Sequence, residues 1–225
     1  MTVKKLLFGE LANLAQAMAS PQRLELLDYL AQAERSVESL SRLSGLSVAN
    51  TSKHLQVLKQ ASLVVVRKKG TQRLYYVAGD QVVVLISHLR KVAESRVDEV
   101  NRLIESYITK DERTAPMAHE ELLEWMEVGD TLILDIRPEK EYLQGHIKGA
   151  INVVPETMKQ QLENLSSIDK ERLVVTYCRG PYCLFAHEAV HILQEKGLNA
   201  RRLQAGFPEW KAAGLPICSK RDEEI

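Results

Sequence analysis

The spacing of apolar residues changes character once along this chain, and that change rules out a single repeating architecture. From Leu6 to Tyr107 most apolar side chains recur three or four residues apart, the period of an amphipathic helix. Beyond Pro116 short apolar runs alternate with helical stretches: strand over 131–136, strand over 173–177, helix over 184–196, strand over 200–203. Between the two textures lies Lys110-Asp111-Glu112-Arg113-Thr114-Ala115-Pro116, polar and closed by proline. A chain of 225 residues suits two domains of roughly 100–110 residues each. The expected boundaries are a mostly helical α+β domain over 1–110, a linker over 111–116 and an α/β domain with a mainly parallel sheet over 117–225.

Charge divides the same way. The formal net charge is zero, yet residues 1–110 hold 16 Lys and Arg against 10 Asp and Glu, and residues 111–225 hold 14 against 20. Between Ser39 and Gly79 there are seven basic side chains (Arg42, Lys53, Lys59, Arg67, Lys68, Lys69, Arg73) and no acid. A solvated face ordinarily mixes signs, so this stretch points to an anionic partner. No apolar run approaches the roughly 20 residues of a membrane span, and the basic N-terminus lacks a signal-peptide core. Three cysteines, all beyond residue 177, make no disulfide framework and suit the reducing cytoplasm. The reading is a cytoplasmic chain with no membrane partner.

Within the first half, Ser20-Pro21 separates two helices, since serine caps and proline fits the first helical turn. A short helix over 36–43, the turn Ser44-Gly45-Leu46 and a second helix from Val48 to Gln60 capped by Ser47 follow. Val64-Val65-Val66 and Leu74-Tyr75-Tyr76-Val77 flank a basic turn and read as a hairpin. From Gln81 a long helix runs to Tyr107, its stripe of Ile86, Leu89, Ala93, Val97, Val100 and Ile104 long enough to pack against a second copy. Helix, glycine turn, helix and basic hairpin in that order make a winged helix-turn-helix. Its second helix would enter the major groove of double-stranded DNA with Ser47, Asn50, Thr51, Ser52, Lys53, His54 and Gln56 exposed, while Leu55 and Leu58 face the core. Asn and Gln suit adenine edges; Ser, Thr and Lys suit phosphates. Arg67, Lys68, Lys69 and Arg73 would lie over the backbone as the wing.

The segments 19–27, 43–47, 52–58 and Leu74-Tyr75-Tyr76 resemble the ArsR-type regulators over roughly residues 8–108. The resemblance implies a dimeric repressor on an inverted repeat. Many members sense metals through thiolates in the first helix of the motif or through Asp and His on the last. Here Arg35 to Leu43 has no cysteine, and the last helix offers Asp80 and a solitary His88. No metal and no cofactor is expected.

In the second half, Leu134–Asn152 and Leu203–Pro216 resemble the two signatures of rhodanese-like domains, and Val174-Val175-Thr176-Tyr177-Cys178 ends where that family carries sulfur. The residues agree independently. A strand ending at Cys178, a loop Arg179-Gly180-Pro181-Tyr182-Cys183 and a helix from about Leu184 direct backbone N–H groups and a helix dipole toward one spot. Such a cradle favours a thiolate or persulfide and would lower the Cys178 pKa below about 8.5. Cys178 would attack a sulfane sulfur, with thiosulfate or polysulfide as donor, and Arg179 would hold an anionic donor. Gly180, Pro181 and Tyr182 complete the loop, although Pro181 removes one N–H. Asp135 with Arg137 reads as a structural pair, His146 as a satisfied structural histidine and Cys218 as incidental. Phosphatase-like relatives need an arginine six residues after the cysteine, and Leu184 stands there. Cys183 is either a small buried side chain or a resolving thiol.

Three functions fit: a sulfane-sulfur-responsive repressor, a sulfurtransferase tethered to a DNA reader, or a redox or As(III)-type sensor using Cys178 with Cys183. A DNA reader without its own sensor, joined to a thiol site, makes the first the most economical, on the pairing of domains.

Overall fold

The computed structural model describes residues 2–108, 115–163 and 169–219, and the chain forms two compact units, Met1–Leu85 and Ile86–Ile225. Residues 111–114 of the expected linker lie outside the described residues.

The first unit opens with α1 (Val3–Met18) and α2 (Pro21–Gln32), separated at Ser20-Pro21. Next come α3 (Val37–Ser44), capped by Ser36, and α4 (Val48–Gln60). Gly45 takes a positive φ of 69°, which a glycine adopts at little cost, and so turns the chain between α3 and α4. Strands β1 (Val64–Lys69) and β2 (Gln72–Val77) pair antiparallel, and Arg35 adds a bridge to Tyr75 on the other edge. Leu26, Leu27, Leu30, Leu40, Leu55, Leu58 and Leu63 are all at most 2% exposed and form the core under this wing.

Helix α5 (Asp80–Arg96) begins in the first unit and ends in the second. The apolar stripe predicts one helix as far as Tyr107; instead Val97 adopts extended backbone and α6 (Asp98–Tyr107) starts afresh. Asp98 and Glu99 in its first turn favour a helix N-terminus there.

In the second unit α7 (His119–Val128) leads into β3 (Thr131–Asp135) and α8 (Glu139–Tyr142). Strands β4 (His146–Ile147) and β5 (Ile151–Asn152) follow, then a 3-10 turn and α9 (Met158–Glu163). The unit is completed by β6 (Leu173–Tyr177), α10 (Leu184–Glu195), β7 (Ala200–Arg202), α11 (Phe207–Ala212) and β8 (Ile217–Cys218). The main sheet has the order β5-β3-β6-β7 and is parallel throughout; β4 and β8 pair separately, antiparallel. Both faces of the main sheet are buried, as a parallel sheet requires. Leu132, Leu134 and Val174 join Ala189, Val190 and Leu193 of α10 on one face; Ile133, Val175 and Tyr177 join Leu122, Phe207 and Trp210 on the other. Period-two alternation along β3 and β6 thus serves two cores. Chain order reverses between β3 and β6, and the crevice beyond their carboxyl ends is where such sheets place ligands. Cys178 is the next residue after β6.

Candidate functional site

Behind the cysteine lies a fully buried polar cluster. Arg137 and Asp135 have no exposed side-chain surface and pair at 2.6 Å (Nη2 to Oδ2). Arg137 also donates to the Gly145 carbonyl at 2.7 Å, and the Tyr177 hydroxyl donates to Asp135 at 2.5 Å. His146 bonds the Tyr142 carbonyl through Nδ1 at 3.1 Å and stacks on the Tyr142 ring. Through Asp135 and Tyr177 these bonds tie the ends of β3 and β6 together.

Cys178 is 2% exposed, and its thiol donates to the Ile136 carbonyl at 3.6 Å. Burial pushes its pKa well up, and the neighbouring Cys183 adds to the rise. The expectation that Cys178 would be acidified is therefore reversed. The thiol that benefits from the cradle is Cys183, the half-buried N-cap of α10. The neighbouring Cys178 thiol lowers its pKa most; burial opposes, while the backbone N–H groups of Phe185 and Arg179 and the Arg179 charge lower it further, to about 7. The loop turns through Gly180, whose carbonyl accepts from Cys183 N at 3.1 Å.

Arg179 does not stand ready for an anionic donor. Its guanidinium forks onto Glu141 of α8, with Nη2 at 2.6 Å and Nε at 3.0 and 3.1 Å from the carboxylate oxygens. Glu141 is 1% exposed, and a carboxylate so buried demands a charged partner. Two further contacts, which local sequence does not signal, hold the loop within the second unit. The Tyr182 hydroxyl donates to Glu94 at 2.7 Å, and Arg90, which approaches the Gly180 Cα side, pairs with Glu209 at 2.7 Å. Glu94 and Arg90 lie on α5, and Glu209 also accepts from Gly206 N. Gly206 itself is demanded by packing: a Cβ there would sit 2.3 Å from the Arg179 carbonyl oxygen. Cys218 lies on β8, paired with His146.

The nucleic-acid surface of the first unit is more selective than the sequence implies. Asn50, Lys53 and Gln56 are exposed along α4, and Ser52 and His54 are half-buried. The Ser47 hydroxyl accepts from Asn50 N, so it is engaged in capping. Thr51, expected among the exposed readers, is fully buried and donates to the Ser47 carbonyl at 3.0 Å. Lys68, Lys69 and Arg73 are exposed on the wing, whereas Arg67 is engaged by Glu34, an acid lying just outside the acid-free stretch. Leu55 and Leu58 face the core.

Among the described residues no group of three His, Cys, Asp or Glu is placed to hold a metal, and no helix is long and apolar enough to cross a membrane.

A reader helix with a basic wing, followed by a parallel sheet whose central strand ends in a cysteine loop, defines a winged helix-turn-helix regulator with a rhodanese-like domain. The family models agree: the bacterial regulatory protein, arsR family, matches residues 20–65, and the rhodanese-like domain matches residues 118–213. The HTH-type transcriptional regulator Rv0324 of Mycobacterium tuberculosis is 36% identical over 214 residues, covering 95% of this chain and 92% of its own. The chain belongs to the ArsR-type transcriptional regulators that carry a C-terminal rhodanese-like domain. Its second half is also 33% identical over 97 residues to the dual specificity phosphatase Cdc25 of Arabidopsis thaliana, covering 38% of this chain and 65% of that one. The homodimeric winged helix-turn-helix DNA-binding domain Mb0332 from Mycobacterium bovis is 34% identical, with a TM-score of 0.42, covering 44% of this chain and 92% of that one.

Proposed function

We propose that this regulator binds an inverted-repeat operator as a homodimer and that its rhodanese-like domain senses sulfane sulfur through Cys178, changing DNA affinity. The observation that carries the reading is the thiol pair at the carboxyl end of β6: Cys178 directly follows that strand, Cys183 caps α10 at the far end of the same short loop, and the two shift each other's pKa in opposite directions. One thiol that is readily ionised, next to another that is not, suits attack on a sulfur–sulfur bond. Phosphatase chemistry lacks its arginine, since Leu184 occupies the sixth position after Cys178. Dimerisation is supported by α1, which exposes Leu7, Phe8 and Leu11 at 58–62%, an apolar stripe that a second copy would cover. The loop's hold on Glu94 supports α5 as the route by which a change at the thiols reaches the DNA reader.

A reporter placed behind the chain's own upstream region tests this in cells. Polysulfide should change reporter output with the wild-type chain and leave it unchanged with Cys178→Ser. A reporter indifferent to polysulfide, or equally responsive with Cys178→Ser, contradicts the reading.

A further inference from the structure

We propose that Arg90, on α5 and ahead of the rhodanese-like domain in the chain, is a positioning residue for Cys178, acting through Glu209. This rests on the sulfane-sulfur reading above and names what holds that site in its reactive shape.

A continuous run of contacts carries it. Arg90 Nη1 pairs with Glu209 Oε1 at 2.7 Å, and the two side chains are only 17% and 12% exposed. The other oxygen of that carboxylate accepts from Gly206 N, the N-cap of α11, at 3.1 Å. The next amide, Phe207 N, donates to the Cys178 carbonyl at 3.2 Å. On its other side Arg90 meets the loop itself. Its Nη1 lies 3.5 Å from where a Gly180 Cβ would stand, and its guanidinium lies 5.8 Å from the centre of the Tyr182 ring. The Tyr182 hydroxyl bonds Glu94, which shares a face of α5 with Arg90. That face therefore grips the loop at Gly180 and Tyr182 and, through Glu209, reaches the backbone of Cys178. An ion pair buried this far is costly to break by halves, so it fixes the spacing between α5 and α11.

Sulfur loading is the step that depends on this hold. The Cys178 sulfur attacks a terminal sulfur of tetrasulfide, the adjoining S–S bond breaks, and trisulfide leaves carrying the thiol proton. Cys178 keeps one added sulfur as the persulfide anion. Attack of this kind needs the sulfur held in line with the bond it breaks, and a displacement of about 1 Å can cost about a hundredfold in rate. Arg90 touches neither the sulfur nor the donor; it sets where the Cys178 backbone and the loop stand.

The test treats the full chain with inorganic tetrasulfide under anaerobic conditions and follows loss of the unmodified Cys178 thiol by alkylation and peptide mass. Urea midpoints and amide hydrogen exchange are measured on the same proteins. Arg90→Met combined with Glu209→Gln removes both charges, so neither is left buried alone, and the side chain at 209 can still accept from Gly206 N. This double variant should keep the wild-type urea midpoint yet load roughly tenfold more slowly. Its Phe207 and Cys183 amides should exchange faster than in the wild type. Arg90→Lys, which keeps a cation opposite Glu209, should recover most of the lost rate. Wild-type loading by the double variant, or loading that falls only in step with the urea midpoint, overturns the positioning role and leaves the sensor reading standing. A wild type that takes up no sulfur at Cys178 defeats the sensor reading; hydrogen exchange then decides the positioning role, faster exchange in the double variant supporting it and unchanged exchange overturning it.

Discussion

Gly206→Ala isolates how tightly the thiol loop is packed. Gly206 has an extended backbone that any residue adopts, so the substitution acts through space alone. The new methyl would lie 2.3 Å from the Arg179 carbonyl oxygen, 2.4 Å from its carbonyl carbon and 2.5 Å from Gly180 N, where ordinary contact begins at 3.4 Å. Backbone must therefore retreat by about 1 Å, and no flexible side chain stands there to yield instead. Overpacking of this kind costs about 1–3 kcal/mol. The Phe207 N–H bond to the Cys178 carbonyl, 3.2 Å long, lies in the path of the shift and adds to the loss. Both tryptophans, Trp125 and Trp210, belong to the second unit, so tryptophan fluorescence in urea reports on that unit alone. With a urea dependence of about 1–3 kcal/mol per molar, a loss of about 2 kcal/mol moves the midpoint down by about 1 M. The displaced Arg179 amide should also raise the alkylation midpoint of Cys183 above its wild-type value. An unchanged urea midpoint together with unchanged alkylation would show that the loop and α11 are not packed as described, and the reasoning fails.

Three other outcomes are expected. Alkylation of Cys183 should be slow below pH 7, where the thiol is protonated, and rise through a midpoint near about 7; Cys178→Ala removes the thiol that lowers it most and should move that midpoint toward about 8.5. Replacing Lys68, Lys69 and Arg73 together by alanine should weaken DNA binding across sequences and reduce the salt slope by about 0.9 for each phosphate no longer neutralised, whereas Arg67→Ala, already engaged by Glu34, should change the slope less; an equal change in slope per residue at all four positions would refute the distinction. Tyr182→Phe severs the bond to Glu94 and should shrink the polysulfide-induced change in DNA affinity while leaving reduced-state affinity as it was; an undiminished response excludes this contact as the route.

What is legible in the sequence is whatever local pattern determines. Ser47 as a cap and Val48–Gln60 as a helix follow from capping chemistry and apolar period, and β6 over 173–177 follows from an apolar run ending at Cys178. The break at Val97 is not legible, because Val97, Val100, Ile104 and Tyr107 continue the same spacing across it. Thr51 looks like a reader because it is polar; it is accommodated in the core by bonding the carbonyl four residues back. Arg179 with Glu141 and Arg67 with Glu34 are partners 38 and 33 residues apart, beyond any local rule. That backbone donors converge near a thiol follows from the strand–loop–helix order. Which thiol they reach depends on the path of five loop residues, and that path, with Gly206 pressed against it, exists only in three dimensions.

DNA affinity tests the central claim most directly. The full chain is titrated onto its own upstream region at fixed salt, before and after polysulfide treatment, with sulfur uptake confirmed by mass and Cys178→Ser run in parallel. The account predicts a change of tenfold or more, about 1.4 kcal/mol, in the wild type and none in the variant. Equal affinities for reduced and sulfur-treated wild-type protein, in a chain shown by mass to have reacted, would contradict it.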